Sequence, residues 1–554
     1  MNSKCRVQIK KLLGNYRLLS VIYTVVIAIV VCSVFPILMS YDENAIKMIV
    51  SGRLSGIPNF HAININAFFG LILTKLYLAF PSIEWFSVAF ALTAVLSCWL
   101  FENTVLKLVR SQRKYIIVIS CLLSAFFYLS VFLEMTVYWR TSYATAVACL
   151  SALFFLGLDK NPGVPEYIVC ALLLFLGLSF RKMAFYMIAP YIVLLVIFVA
   201  IKDSHEIKKI WFLLGTSVFL VLLAVADVHL YSDDYSDMLD MDSNRVKLQD
   251  YGGFPSYDDS FAEMGIDEEE YWVMSQGLYG LCDNFNSESL AVIGDFRDSL
   301  KPNLGIKKKL IDMRDLLLIW LRQYPYYIWV LLLTEGIAAI ILSALSGKII
   351  NWIFMILTLG GWGLEWLYLA YTGRAPYRAS YPLVITLIIT ALVYDILLFT
   401  SLRKNAAVYI LFVIVALTAL FGCGYEYYNT RDNFARVKLE RYMLEHPDNT
   451  YLHFRKSSYD EIVLFNPPEY NYTKAIGWIS ETLDWNEFVR GDYDDIWDAL
   501  AKREDLFFVS EEEENVMVGI IEDQLIKRGY SVIIEKDFIQ FDDEKYWIFS
   551  LNQK

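Results

Sequence analysis

The chain has 554 residues, 57% hydrophobic and 16% aromatic, and only 19% are charged, below the roughly 25% of an ordinary soluble protein. A net charge of −12 leaves no basic stripe to hold a phosphate backbone, which excludes nucleic acid as a partner. Eight cysteines without a CxxC pair or zinc-type Cys/His spacing exclude a disulfide framework and a structural zinc site.

A basic tail (Lys4, Arg6, Lys10, Lys11, Arg17) precedes the first apolar run, Leu18 to Met39. That run is longer than a signal-peptide core and lacks a small-residue cleavage site, so it reads as a retained anchor. Further runs long enough for a ~30 Å hydrocarbon core follow. The predicted spans are 18–39, 84–109, 115–135, 142–158, 166–181, 183–201, 210–231, 326–347, 349–372, 380–401 and 405–424.

The segment 64–80 is also apolar but carries Asn64, Asn66, Thr74 and Lys75, and Pro81 closes it. Charge decides its placement. If it does not cross, Arg110, Arg113, Lys114, Lys160, Lys202, Lys208, Lys209, Lys348, Arg403 and Lys404 all fall on the N-terminal side of the membrane, as the positive-inside rule asks. The expectation is about 11 transmembrane helices with a cytoplasmic N-terminus, 64–80 lying along the outer surface. Outer loop 1 is then 40–83 and a large outer loop is 232–325. The latter is acidic, with 17 Asp or Glu against 3 Lys or Arg between 232 and 300. Its aspartate run lacks the glycine and spacing of a calcium loop, so a solvated face is the simpler reading.

After residue 425 the apolar runs shrink to strand length (450–454, 506–510, 530–539, 545–551), with a helical period at 516–528 ending in Lys527, Arg528 and Gly529. The fold expected is an all-α polytopic membrane domain (1–424) with a C-terminal extramembrane, extracytoplasmic α/β domain (425–554).

In this topology several ionisable residues stand at the outer ends of spans, where charge is costly unless a polar cavity or partner receives it. Asp42 and Glu43 open a short helical pattern that Gly52 stops, and Asp42 can serve as its cap. Glu134 and Arg140 are close enough to pair. Arg181 and Lys182 can snorkel to headgroups. Arg374 and Arg378, in YTGRAPYRASYPL, suit a phosphate held bidentately. His61, after a proline turn, fits a structural hydrogen bond better than catalysis. Mid-span ionisable residues, which a transporter would prefer, are few: Asp227, Glu335, Glu365 and Asp395.

A first span, an acidic pair opening a short outer helix, GxxxGxP-like turns and an interfacial helix ending LYLAFPSIEWF together resemble the GT-C superfamily of polyprenyl-phosphate-sugar-dependent glycosyltransferases, which includes protein O-mannosyltransferases and lipid A aminoarabinose transferases. The likeness is closest over residues 18–110 and architectural beyond them. The segments NRVKLQDYGGFPSYDD and GRAPYRASYPL also look like those of uncharacterised bacterial polytopic membrane proteins of this layout. The resemblance implies a sugar passed from a polyprenyl-phosphate donor to a glycan or glycolipid acceptor outside the cell membrane. Asp42 and Glu43 would be catalytic, and Arg374, Arg378, Arg181, Lys182, Arg140 and His61 would contact substrate or lipid phosphate. No cofactor motif is present. A second Asp-x-Asp is also lacking, and Glu134 is the nearest residue for a divalent metal. Alternatives are a polysaccharide polymerase or ligase, and a non-enzymatic flippase or transporter of lipid-linked sugars.

Overall fold

The computed structural model describes residues 15–35, 37–110, 114–231, 233–300, 306–402, 417, 418, 420–425, 428, 437–454, 459–541 and 544–553. Among these, eight helices are long and apolar enough to cross a membrane: Tyr16–Val34, Trp85–Val109, Thr141–Leu158, Lys182–Lys202, Ser204–His229, Tyr326–Ser346, Ile349–Thr372 and Tyr377–Phe399. The helices Lys114–Val131 and Val164–Phe180 match two more predicted spans. The chain is thus a multi-pass membrane protein. Most of the eleventh predicted span, 405–424, lies outside the described residues.

Helix Thr141–Leu158 is the axis of the bundle, and every one of its residues is buried. It packs against helices Trp85–Val109, Val164–Phe180, Lys182–Lys202 and Tyr377–Leu402. Its sequence allows this, because Ser142, Ala144, Thr145, Ala146, Ala148, Ser151, Ala152 and Gly157 let neighbouring backbones close in. Gly157 is the tightest point, where a Cβ would run into Val393 and Leu195.

The bundle has two distinct ends. At one, Arg17 pairs with Glu166 at 3.3 Å, Lys107 with Asp159 at 2.6 Å and Glu166 at 3.2 Å, and Lys209 with Glu206 at 2.9 Å. The other end collects Asp42, Arg140, Arg181 and Arg378. Helix Ala67–Ala79 stays at this second end. Its 13 residues span only about 20 Å. The Asn66 N–H before it donates to Ser179 O at 2.9 Å, the Ala67 N–H donates to Asp227 at 2.6 Å, and past its far end Glu84 N–H donates to Leu464 O at 3.0 Å. Asp227, counted by sequence as a mid-span charge, is therefore the receptor for this helix start.

The C-terminal region forms a five-stranded sheet in the order β5 (Tyr472–Lys474), β3 (Thr450–His453), β6 (Leu506–Ser510), β8 (Glu544–Gln553), β7 (Val532–Phe541). β5, β3 and β6 run parallel, and β8 runs antiparallel to both of its neighbours, β6 and β7. Helix Val516–Lys527 lies where its period predicts. A second, three-stranded sheet joins the two halves of the chain. In it β1 (Leu38–Ser40), just past the first span, pairs in parallel with β2 (Tyr138–Trp139) and antiparallel with β4 (Tyr459–Glu461). The predicted end of the first span at residue 39 is thus four or five residues too long, since the helix closes at Val34 and the chain becomes strand.

Outer loop 1 and the C-terminal region share one core, in which Ile46, Ile49 and Val50 pack with Tyr451, Tyr472, Trp485 and Phe508. The large loop folds into helices Asp233–Tyr251, Glu268–Ser275 and Ser287–Leu300 around a small core of its own that includes Leu248, Phe261, Tyr279 and Ile293.

Filling the tightest contact tests this packing. Gly157→Val should lower stability by about 1–3 kcal/mol through overpacking, read as earlier thermal unfolding in detergent. An unchanged melting profile would mean the axis helix is not packed as described.

Candidate active site

The helix that carries the acidic pair, Tyr41–Ser51, begins directly at the end of β1. Ser40 occupies the cap position with extended backbone, so Asp42 is not the cap that sequence allowed. Asp42 and Glu43 fall in the first turn, where a helix dipole favours carboxylates. Gly52 ends the helix at φ 75°, and a Cβ there would strike the Ile57–Pro58 backbone.

The two carboxylates point to different tasks. Glu43 is buried. It accepts the Ser40 hydroxyl, the Thr141 backbone N–H at 2.9 Å and the Thr141 hydroxyl at 3.0 Å. It is therefore seated on the N-terminus of the axis helix. Asp42, about 32% exposed, forms an ion pair with Arg378 and accepts Trp478 Nε1–H at 3.3 Å. Burial works against its charge, yet Arg378, Lys474 and the indole N–H hold its carboxyl below the usual carboxylate range. The stability this pairing adds is complete above the unpaired value near 4 and is lost as pH falls through the lowered one.

Arg181 lies within electrostatic reach of Arg378, Glu43 and Asp42. Burial comes first and the like charge of Arg378 second in holding its guanidinium below the ordinary arginine value, with Glu43, Asp42 and Asp242 opposing them. Arg140 lies over the Tyr143 ring at 5.8 Å and donates to the Tyr459 hydroxyl at 3.4 Å. Burial opposes its charge too, but Tyr143, Glu43 and Tyr459 more than compensate and raise its pKa. Four chain segments far apart in sequence, around 42, 140, 181 and 378, thus meet at one end of the bundle.

Other predicted residues go elsewhere. Arg374 pairs with Asp250 on the large loop and covers the Tyr251 ring at 5.6 Å. Lys182 reaches Asp227 at 3.5 Å, beside the start of helix Ala67–Ala79. His61 stacks on Tyr235 at 3.7 Å, with ring nitrogens against Asn59 Oδ1 at 3.0 Å and Leu230 O at 3.2 Å, a structural arrangement. Glu134 receives the hydroxyls of Tyr143 at 3.2 Å and Tyr377 at 3.0 Å rather than Arg140. Among the described residues no group of three His, Cys, Asp or Glu could hold a metal ion.

Sequence reasoning missed the contribution of the C-terminal region. Trp478 touches Asp42, and Lys474, whose ammonium lies 4.3 Å from the Tyr41 ring centre, adds positive charge. Neither belongs to a motif. The only signal available was the strand-like run around Tyr472, too short to read.

No protein-family model matches the chain, and neither does any curated protein. Among solved structures the chain is similar to ArnT from Cupriavidus metallidurans in the apo state, with 10% identity, 96% of this chain and 97% of that one covered, and a TM-score of 0.37. For ArnT from the same organism bound to undecaprenyl phosphate the identity is 9%, with the same coverage and a TM-score of 0.34.

The two carboxylates should separate on substitution. Glu43→Ala takes the carboxylate acceptor from the buried N-terminus of the axis helix, leaving the Thr141 N–H and hydroxyl unpaired, and should cost about 2 kcal/mol or more. Asp42→Ala, at a part-exposed pair, should cost about 1 kcal/mol or less. Thermal denaturation of the two variants checks the order, and equal losses would contradict it.

Proposed function

We propose that the chain is a glycosyltransferase that moves a sugar from a polyprenyl-phosphate donor to a hydroxyl of a glycan or glycolipid on the extracytoplasmic face. The observation that carries this reading is the meeting of one carboxylate, Asp42, with the guanidinium groups of Arg378 and Arg181 from separate spans. Sugar transfer with inversion needs a base for the acceptor's proton and cations for the departing phosphate. Asp42 is the base. Arg378 and Arg181, with Arg140 and Lys474 behind them, hold the phosphate. Arg374, tied to Asp250, anchors the large loop instead.

The electrostatics favour an anion at this place. Arg181 is half-buried next to another guanidinium, and a phosphate between them relieves both the desolvation and the like-charge repulsion. It also competes with Asp42 for Arg378. Once Arg378 turns to phosphate, Asp42 loses its nearest cation while Lys474 and the Trp478 indole N–H remain, so its proton affinity rises, in the direction a base needs. Donor binding therefore arms the base.

The assignment of sides follows the basic residues. Arg17, Lys107, Lys208 and Lys209 lie at the end away from Asp42, which makes that end cytoplasmic. Cysteine introduced at Glu513, exposed in the C-terminal region, should react with an impermeant maleimide in intact cells, and cysteine at exposed Lys208 only after lysis. The reverse pattern would overturn the orientation.

The catalytic test is Asp42→Asn, which keeps the size and loses the base. It should melt like the wild type and transfer sugar at least ~100-fold more slowly in proteoliposomes. Arg378→Lys should weaken donor binding, since an ammonium cannot reproduce a bidentate fork. Near-normal transfer by Asp42→Asn would end the assignment of the base.

A further inference from the structure

A cleft of about 800 Å³ opens between the large loop and the C-terminal region, sharing no lining residue with the Asp42 site. One wall is the 254–257 turn with helix Glu268–Ser275, and the other is helix Val516–Lys527. The walls are cross-linked. Lys527 pairs with Glu269, Gln524 donates to Glu269 at 3.3 Å, and Arg528 pairs with Asp283 at 2.6 Å. The turn is fixed to its own helix by the Tyr271 hydroxyl on Pro255 O at 2.6 Å. The cleft is therefore formed before anything enters it.

Its lining combines two features. Trp272 faces the opening 37% exposed, while its neighbour Tyr271 is 5% exposed and belongs to the loop core. Around Trp272 stand Glu268 on one wall and Asp523 on the other, and neither carboxylate has a hydrogen bond or ion pair to another described residue. An exposed aromatic face receives the C–H face of a pyranose, and flanking carboxylates accept its hydroxyls. The same carboxylates repel a polyanion.

The cleft is also joined to the catalytic carboxylate. Helix Glu268–Ser275 runs on to Gly277, whose carbonyl accepts the Gly477 N–H at 2.9 Å, and the next residue, Trp478, donates to Asp42 at 3.3 Å. We propose that this cleft binds an uncharged oligosaccharide, the distal part of the acceptor glycan. Saccharide binding stands on the cleft alone, whereas its role as an acceptor subsite rests on the transferase reading.

Gly519 supplies a test that spares the fold. It is helical and lines the cleft, and a Cβ there meets nothing within 4 Å. Gly519→Trp therefore brings an indole to the cleft from a position with room for its Cβ and removes a helix-weakening glycine. The full-length protein in nanodiscs is titrated calorimetrically with linear neutral tetrasaccharides (cello-, malto-, chito-, laminari- and manno-) and with a sulfated tetrasaccharide. At least one neutral tetrasaccharide should bind. Trp272→Ala should weaken it about tenfold, Gly519→Trp should abolish it, and Asp42→Asn should leave it unchanged. The proposal is overturned if no neutral tetrasaccharide binds, if Gly519→Trp binds as the wild type does, or if the sulfated chain binds best. Failure of the transferase reading shows separately, as saccharide binding in a protein whose transfer rate ignores Asp42→Asn.

Discussion

The carboxylate of Glu43 on the N-terminus of helix Thr141–Leu158 fixes the geometry of the bundle end that holds Asp42, Arg378 and Arg181. The axis helix is buried along its whole length, so its first N–H groups cannot turn to bulk water and need a protein acceptor. Glu43 provides it, and is itself held by the Ser40 hydroxyl at the end of β1. Because Asp42 is the residue before Glu43, locking one carboxylate aims the other. The two differ by about 100° around the helix, which separates an inward structural acid from one that meets Arg378 and Trp478.

The C-terminal region is built into this arrangement. Its strand β4 completes the sheet that leads into the acidic helix. Lys47, 2% exposed, donates to the Tyr470 hydroxyl at 2.6 Å, and Thr473 shares a hydrogen bond with Tyr41 at 2.9 Å. A buried lysine is tolerated only with such partners. Burial opposes its charge, but Tyr470, Glu84 and Asp460 outweigh that and raise its pKa. Glu84 in turn takes Arg53 and the Tyr77 hydroxyl, so loop 1, helix Ala67–Ala79 and the C-terminal region share one polar network. Separating the region from the bundle would strand these charges without partners.

Periodicity and charge made the bundle legible from sequence. Runs of about 20 apolar residues located ten described helices to within a few residues, and helix Ala67–Ala79, which the distribution of Lys and Arg reads as non-crossing, hydrogen-bonds at both of its ends to residues of the Asp42 side. Strands β3, β6, β7 and β8 were legible for the same reason, each being an apolar run of strand length. Strands β1, β2 and β4 were not, because two or three residues carry no period. At the site, the positions of Asp42, Arg181 and Arg378 followed from topology, since each sits where a span ends on one side. Partner choice did not follow. Arg374 and Arg378 are four residues apart in one turn, yet the first goes to Asp250 and the second to Asp42, a division set by the large loop folding over only one of them.

The same physics explains why the acidic loop is compatible with a site that attracts an anion. Asp242 and Asp250 are not spread as free charge near the arginines. Asp242 pairs with Arg245, which also meets Glu481 at 3.3 Å, and Asp250 takes Arg374. These pairs consume the loop's negative charge where it borders the bundle, and the unpaired carboxylates of Glu268 and Asp523 stand at the separate cleft. Arg181 is pushed down by burial and by Arg378, and Asp242, the last-named of the carboxylates that oppose this, does not reverse it. The chain can thus carry a strong net negative charge while the Asp42 end of its bundle keeps a local positive centre in Arg378, Arg181, Arg140 and Lys474.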